Sequence, residues 1–151
     1  MQIQIFNLIE GARKAEGLTV IIDVFRAFST ACYVFDRGAA RIFPVGDKKE
    51  AFALKKAYPE YILMGERNGQ KLPGCDFGNS PAEIEKVNMK NKRVIHTTSA
   101  GTQGIVNASG ADTIITGSFV NLGAVVDYIN EKKPEVVSLV AMGENGKIKA
   151  D

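Results

Sequence analysis

Six short runs of apolar, largely β-branched residues constrain the fold more than any other feature of the sequence. They lack the alternation of apolar and polar residues that marks a half-exposed strand, and this is typical of strands covered on both faces of a parallel sheet. The runs occupy residues 19–23, 41–45, 61–65, 93–96, 112–117 and 136–142. Residues 2–5 (QIQI) are compatible with one further edge strand.

Segments with helical spacing separate these runs. They cover residues 27–37, 48–57, 81–87, 102–108 and 122–131. Asp47 with Glu50, and Ser80 with Glu83, have the spacing of a capping box at a helix start. Because strands and helices alternate and no linker or internal repeat interrupts them, we expect a single α/β domain over residues 1–151, a three-layer α/β/α fold with a mostly parallel sheet.

Charge and composition exclude several classes of partner. The 19 basic and 17 acidic residues leave a net charge of only +2, and many lysines have acids nearby, which is typical of a solvated surface and not of a nucleic-acid stripe. No run approaches the roughly 20 apolar residues that span a bilayer, and no secretory leader is recognisable. The two cysteines lie far apart without a metal-binding spacing, which favours a reducing compartment. Taken together, these features predict a cytoplasmic protein that binds neither nucleic acid nor membrane.

Acidic and basic side chains follow two of the predicted strands directly. Asp23 ends the first run and Arg26 follows it, while Glu66 and Arg67 come directly after the third run. Ligands of open parallel sheets bind beyond the carboxyl ends of the strands, so two carboxylates and two guanidinium groups there favour a site for Mg²⁺ and a phosphoryl group. The alternatives are a helix cap for Asp23, a surface position for Arg26, and an exposed salt bridge for Glu66 and Arg67.

The segment 97–102 (TTSAGT) is predicted to form a strand-to-helix turn. Backbone N–H groups at a helix start favour an anion, hydroxyl groups add donors, and a glycine permits close approach of a ligand. A phosphate is the natural guest of such a turn. Ser99 or Thr98 acting as an ordinary helix cap is the alternative.

Three further features bear on function. The connection 66–79 is long for a compact α/β domain and contains three glycines, which is typical of a functional loop. His96 is the only histidine, and at the end of a buried strand we interpret it as a hydrogen-bonded structural residue without a catalytic role. No dinucleotide or Walker phosphate motif is present, which leaves a small phosphorylated ligand.

Five segments together resemble the 2-phosphosulfolactate phosphatase family in order and spacing. They are residues 23–30 (DVFRAFST), 65–69 (GERNG), 78–81 (GNSP), 97–102 (TTSAGT) and 117–121 (GSFVN). The resemblance implies a Mg²⁺-dependent phosphatase that hydrolyses 2-phosphosulfolactate to sulfolactate and phosphate, a step linked to coenzyme M biosynthesis. The implied partner is therefore a small phosphorylated sulfonate.

The resemblance, combined with the strand-end chemistry, implies roles for individual residues. Asp23, Arg26, Glu66 and Arg67 would be catalytic, with Asp23, Glu66 and Glu144 holding Mg²⁺. The substrate and its phosphate would be bound by Asn79, Thr97, Thr98, Ser99, Gly101, Thr102, Ser118 and Asn121. Attack by water and attack by Asp23 itself are both open mechanisms.

The sequence also departs from the family. Family members continue well beyond the position where this chain stops, so the resemblance covers their N-terminal part. Ala100 follows Ser99 where an asparagine is expected, which removes one side-chain amide from the phosphate turn. A non-catalytic domain that binds a phosphorylated or sulfonated metabolite, left by truncation of such an enzyme, is therefore the alternative function. A homodimer that buries an unfinished sheet edge is also possible.

Overall fold

Strands and helices alternate along most of the chain, as predicted. A computed structural model describes residues 1–144 and 146–148. The strands are β1 (Gln2–Asn7), β2 (Gly17–Ile22), β3 (Arg41–Pro44), β4 (Ile62–Arg67), β5 (Gln70–Lys71), β6 (Arg93–Thr97), β7 (Ala111–Gly117) and β8 (Val136–Ala141). The helices are α1 (Leu8–Ala12), α2 (Ala27–Asp36), α3 (Lys48–Ala57), α4 (Pro81–Ile84), α5 (Gly101–Asn107) and α6 (Leu122–Lys132), and a 3₁₀ turn covers Phe119–Asn121.

Within the described residues the strands form two four-stranded sheets. The first has the order β1-β8-β2-β7 and is parallel throughout, and the second has the order β3-β6-β4-β5 and is parallel except for the β4–β5 pair. The mostly parallel α/β architecture, consistent with a three-layer α/β/α fold, is confirmed. The division into two sheets was not anticipated, because strand pairing is set by contacts between residues far apart in the chain.

The N-terminal strand shows this long-range pairing most directly. Residues 2–5 do lie in an edge strand, β1, as the alternation of QIQI suggests. Its partner is β8 from the other end of the described chain, in a register that places Gln2 opposite Val136. The five-residue helix α1 that follows β1 was not predicted, since it is too short to show a helical period.

One of the two predicted helix caps forms. Asp47 Oδ1 accepts hydrogen bonds from the N–H groups of Lys49 at 2.7 Å and Glu50 at 3.0 Å, so the Asp47 half of the predicted capping box is confirmed. The prediction for Ser80 is wrong, because its side chain makes no capping bond. Glu83 instead accepts the N–H of Gly78 at 3.0 Å, and α4 ends at Ile84.

Helix α2 joins the cores of the two sheets. Its first turn contributes Phe28 to the apolar cluster of Ile21 in β2, and its last turn contributes Val34 to the cluster of Met64 in β4. Helix α5 packs against β2 and β3. Because α2 and α5 both begin where strands of the two sheets end, their first residues lie beside the carboxyl ends of β2 and β6.

None of the helices in the described part of the chain is long and apolar enough to cross a membrane.

Candidate functional site

A cleft of about 70 Å³ opens where β2, β4, β6 and β8 end. Its walls are formed by Asp23, Phe25, Arg26, Glu66, Asn68, Gly69, Asn79, Ser99, Ala100, Gly143 and Glu144. Six of these were predicted site residues, namely Asp23, Arg26, Glu66, Asn79, Ser99 and Glu144. The tertiary structure therefore brings together strand ends that are distant in the sequence.

Asp23 lies between the starts of two helices. Its Oδ1 accepts the N–H of Ala27, the first residue of α2, at 3.2 Å, and its carboxylate also accepts the N–H of Gly101, the first residue of α5. Burial raises the pKa of Asp23, the negative charge of Glu66 raises it further, and the two backbone hydrogen bonds act in the opposite direction. Asp23 thus caps helices, as its alternative interpretation proposed, and also lines the cleft.

The carboxylate of Glu66 is buried, with 6% of the residue exposed, and it accepts three hydrogen bonds. Oε1 accepts the N–H of Ser99 at 2.6 Å, while Oε2 accepts the N–H of Gly69 at 2.8 Å and the hydroxyl of Ser99 at 3.1 Å. These bonds fasten the end of β4 to the turn between β6 and α5. Glu66 therefore occupies donors of the turn that the sequence suggested for a phosphate.

A tight hairpin after β4 supplies two cleft residues that the sequence analysis missed. Asn68 and Gly69 both have positive φ, at 54° and 76°, and connect Arg67 to Gln70 as a two-residue turn. The N–H of Asn68 donates to Ser99 Oγ at 2.9 Å. An Asn-Gly pair is the strongest local signal for such a hairpin, so the dipeptide could have revealed it.

Arg67 is not among the residues that line the cleft. Its guanidinium donates to the carbonyl of Glu66 at 2.7 Å, to the carbonyl of Gly46 at 3.0 Å and to Thr97 Oγ1 at 2.9 Å. Neighbouring side chains of a strand point to opposite faces, and in β4 the side chain of Glu66 is the one on the cleft side. Arg67 instead connects β4 with Thr97 of β6 and with Gly46, two residues beyond β3.

Thr98 and Thr102 bond to each other across the start of α5. The N–H of Thr98 donates to Thr102 Oγ1 at 2.8 Å, and the N–H of Thr102 donates to Thr98 Oγ1 at 3.0 Å. Ala100 occupies the cap position of α5, so Thr98 satisfies the helix start from two residues further back. Both threonines are buried, and of the predicted phosphate turn Ser99 is the predicted residue that faces the cleft.

Ser118 and Asn121 form a separate capping unit. Asn121 Oδ1 accepts the N–H of Ser118 at 2.8 Å and its hydroxyl at 3.1 Å, while Asn121 Nδ2 donates to the carbonyl of Thr116 at 2.9 Å. Neither residue lines the cleft. They form a capping box in which Asn121 stands where Glu or Gln is usual, so the spacing gave only a weak signal.

The chemistry of the cleft suits a cation that uses few protein ligands. Across residues 1–144 and 146–148, no three His, Cys, Asp or Glu side chains are placed to hold a metal together. Asp23 and Glu66 nevertheless line one cleft, and the negative charge of Glu66 helps to raise the pKa of Asp23. Mg²⁺ is commonly bound by one or two carboxylates together with water and substrate phosphate, and not by an all-protein cage. Two carboxylates in one cleft are therefore compatible with Mg²⁺.

Comparison with known proteins identifies the family. The family model described as 2-phosphosulpholactate phosphatase matches residues 3–151. The chain is 41% identical over 138 residues to the probable 2-phosphosulfolactate phosphatase of Carboxydothermus hydrogenoformans (91% of this chain, 57% of the relative). It is 42% identical over 128 residues to the protein of that name from Thermotoga petrophila (85% and 54%), and 34% identical over 148 residues to that from Caldanaerobacter subterraneus (97% and 61%). The chain thus spans between half and two thirds of these relatives' length, and it belongs to the 2-phosphosulpholactate phosphatase family.

Proposed function

We propose that this chain carries the site of a Mg²⁺-dependent phosphoric monoester hydrolase that converts 2-phosphosulfolactate, or a similar small anionic phosphomonoester, to sulfolactate and phosphate. The observation that carries the proposal is the convergence of Asp23, Arg26 and Glu66 on one cleft at the strand ends. Membership of the family and the names of its relatives support the substrate class.

The charge of the cleft supports the need for a cation. Its lining includes three carboxylates, from Asp23, Glu66 and Glu144, and one guanidinium, from Arg26. A phosphorylated sulfonate brings several more negative charges, and like charges repel strongly where water is partly excluded. We propose that Asp23 and Glu66 hold Mg²⁺ with Glu144 beside them. When bound, the ion would neutralise negative charge and lower the pKa of a water molecule.

The remaining cleft residues would bind and orient the phosphate. Arg26 is exposed at the cleft, where a guanidinium can engage two phosphate oxygens at once. Asn79 and Ser99 add polar side chains to the lining of the same cleft. Binding of phosphate by Thr97, Thr98, Gly101, Thr102, Ser118 and Asn121 stays a prediction, since these residues form hydrogen bonds to other groups of the protein. We assign Arg67 a positioning role through Thr97 and Gly46.

Two routes to the products remain open. In the first, water attacks phosphorus, the ester P–O bond breaks, and the sulfolactate oxygen takes up a proton. In the second, Asp23 Oδ attacks phosphorus first, the same ester P–O bond breaks, and sulfolactate leaves as its oxygen takes up a proton; water then hydrolyses the aspartyl-phosphate to phosphate and free Asp23. Acid quenching of the enzyme with ³²P-labelled substrate separates them, because only the second route leaves label that hydroxylamine releases from the protein.

The test of the function is phosphate release from 2-phosphosulfolactate, with Mg²⁺ and with EDTA. Arg26→Ala removes an exposed guanidinium in the cleft, and Arg37→Ala is its matched control, since Arg37 is also exposed but pairs with Asp36 away from the cleft. We expect Mg²⁺-dependent turnover that falls by about 100-fold or more in Arg26→Ala and is unchanged in Arg37→Ala. Turnover that is indifferent to EDTA, or equal in the two variants, would refute the assignment.

A non-catalytic binding domain is the second candidate, because protein groups already use several donors of the predicted phosphate turn: Glu66 accepts from Ser99, and Thr98 and Thr102 bond to each other. It predicts Mg²⁺-dependent binding of sulfolactate, measured by calorimetry, without release of phosphate from the substrate. For either function we propose a cytoplasmic location. We also propose a role in sulfonate metabolism, such as coenzyme M biosynthesis. The free thiols of Cys32 and Cys75 agree with a reducing compartment.

We also propose a homodimer. The outer edge of β1 is unpaired in the described chain, and Ile3 and Ile5 on this strand are exposed. An exposed edge with apolar side chains favours pairing with a second copy. Light scattering would show twice the chain mass, and Ile5→Lys should restore the monomer; a monomeric wild-type protein would rule the dimer out.

A further inference from the structure

His96 is the least accessible polar ring in the fold and lies one contact away from the cleft. It sits on β6, opposite Pro44 of β3 and Met64 of β4, with 1% of the residue exposed. Its Nε2 is 3.3 Å from Oδ1 of Asn79. Asn79 is itself 7% exposed and forms part of the cleft wall. The buried histidine is therefore linked to the cleft through a single side-chain amide.

The direction of this hydrogen bond depends on the orientation of the Asn79 amide and on the tautomer of the ring. With Oδ1 of Asn79 toward the ring, as here, the oxygen can only accept, so this orientation requires Nε2 to donate and the neutral ring to be the Nε2–H tautomer. Burial also lowers the pKa of His96 to about 4, so the ring stays neutral at physiological pH. His96 is thus a permanent hydrogen-bond donor toward Asn79 and not a proton-transfer group.

Orientation matters because the two ends of an asparagine amide have opposite polarity and nearly the same shape. One end offers an oxygen that repels anions, and the other offers an NH₂ group that binds them. We infer that His96 is a positioning residue, which holds the oxygen of Asn79 and thereby directs the NH₂ group of Asn79 toward the anionic oxygens of a ligand in the cleft. This inference rests on the proposed function, because it requires a phosphate or sulfonate in the cleft.

The inference predicts how substitutions of the two residues combine. His96→Met removes the donor while retaining much of the volume, and His96→Gln keeps an N–H donor at the distance of Nε2 from the backbone. Loss of the fixed amide should weaken anion binding by about 10-fold, as expected for one hydrogen bond to a charged group. Residues that act through one contact are non-additive, so Asn79→Ala should abolish any further effect of His96→Met.

The experiment measures binding of inorganic phosphate to the full chain in the presence of Mg²⁺, for the wild type, His96→Met, His96→Gln, Asn79→Ala and the His96→Met/Asn79→Ala double variant. Urea unfolding of each protein confirms that it is folded. We expect weakening of about 10-fold in His96→Met, Asn79→Ala and the double variant alike, and weakening of less than about threefold in His96→Gln. A residue that only filled the core would not be rescued by glutamine.

A measurement on the wild type keeps the test independent of whether His96→Met folds. Long-range ¹H–¹⁵N NMR of the imidazole should show the proton on Nε2, and the Nδ1–H tautomer would overturn the inference. Normal phosphate binding by folded His96→Met, or losses that multiply in the double variant, would also overturn it. Absence of phosphate binding by the wild type would refute the proposed function itself and this inference with it.

Discussion

Acidification should destabilise this protein through His96 more than through any other single group that we can identify. The histidine is fully buried with no countercharge beside it among the described residues, and burial lowers its pKa from the ordinary 6.5 to about 4. In the unfolded chain the ring regains its ordinary pKa. At pH values between these two pKa values, His96 is protonated in the unfolded state and neutral in the folded state. The free energy of unfolding therefore falls as the pH falls.

The magnitude follows from the two pKa values. Each pKa unit corresponds to about 1.4 kcal/mol, so a fall from 6.5 to about 4 amounts to roughly 3 kcal/mol of stability. This contribution is complete above the unfolded pKa of 6.5 and is lost progressively as the pH approaches 4. It is a large part of a typical domain stability of about 5–15 kcal/mol.

The assay compares urea unfolding of the wild type and His96→Met at intervals from about pH 7.5 down to about pH 4.5. Carboxylates titrate in both proteins and cancel in the difference, whereas the imidazole titrates in the wild type alone. We expect the wild type to lose roughly 2 kcal/mol more than the variant over this range. Parallel curves would show that His96 titrates normally in the folded protein, and the argument from burial would be wrong.

Other predictions concern the cleft and its supports. Burial and the charge of Glu66 raise the pKa of Asp23, so the folded protein is most stable with Asp23 protonated and loses stability as the pH rises above the ordinary pKa of 3.8. Asp23→Asn should therefore become more stable relative to wild type between about pH 4 and pH 7. A pH-independent difference in unfolding free energy would contradict this. In Gly101→Ala the new Cβ would lie 2.7 Å from Ala27 Cβ and 2.9 Å from Asp23 Oδ2, so we expect a loss of about 1–3 kcal/mol in urea unfolding. Gly123→Ala in α6, where nothing lies within 4 Å, is its control and should gain about 0.5–1 kcal/mol; equal effects of the two substitutions would refute the packing argument. Gly69→Ala has equally open space but a φ of +76°, so it should lose about 1–2 kcal/mol, and a neutral result would show that the hairpin tolerates a side chain.

The sequence predicted the strand ends well because their signal is local. An apolar run that ends in Asp23 or Glu66 places a carboxylate at a strand terminus whatever the sheet order is, and parallel strands bring such termini to one edge. The sequence could not decide between Glu66 and Arg67 for the cleft. That choice depends on the face to which β4 turns each side chain, which is set by its pairing with β5 and β6.

The phosphate turn shows a second limit of sequence reasoning. Its hydroxyl and N–H groups were correctly placed at a strand-to-helix turn, but donors can be used by the protein itself. Glu66 accepts from Ser99, Asp23 accepts from Gly101, and Thr98 and Thr102 bond to each other. These hydrogen-bond acceptors come from other elements or depend on the backbone conformation of the turn, so they cannot be identified from the residue types of the segment.

The sequence by itself determined the class of fold and the polar residues at the strand ends, because apolar periodicity, caps and strand-end acids act over a few residues. Tertiary structure alone decided that the strands divide into two sheets and that α2 joins their cores. It also decided that Glu66 faces the cleft while Arg67 does not, and that buried His96 reaches the cleft through Asn79. Each of these outcomes depends on contacts between distant parts of the chain, which form only when the burial of apolar surface fixes how the elements pack.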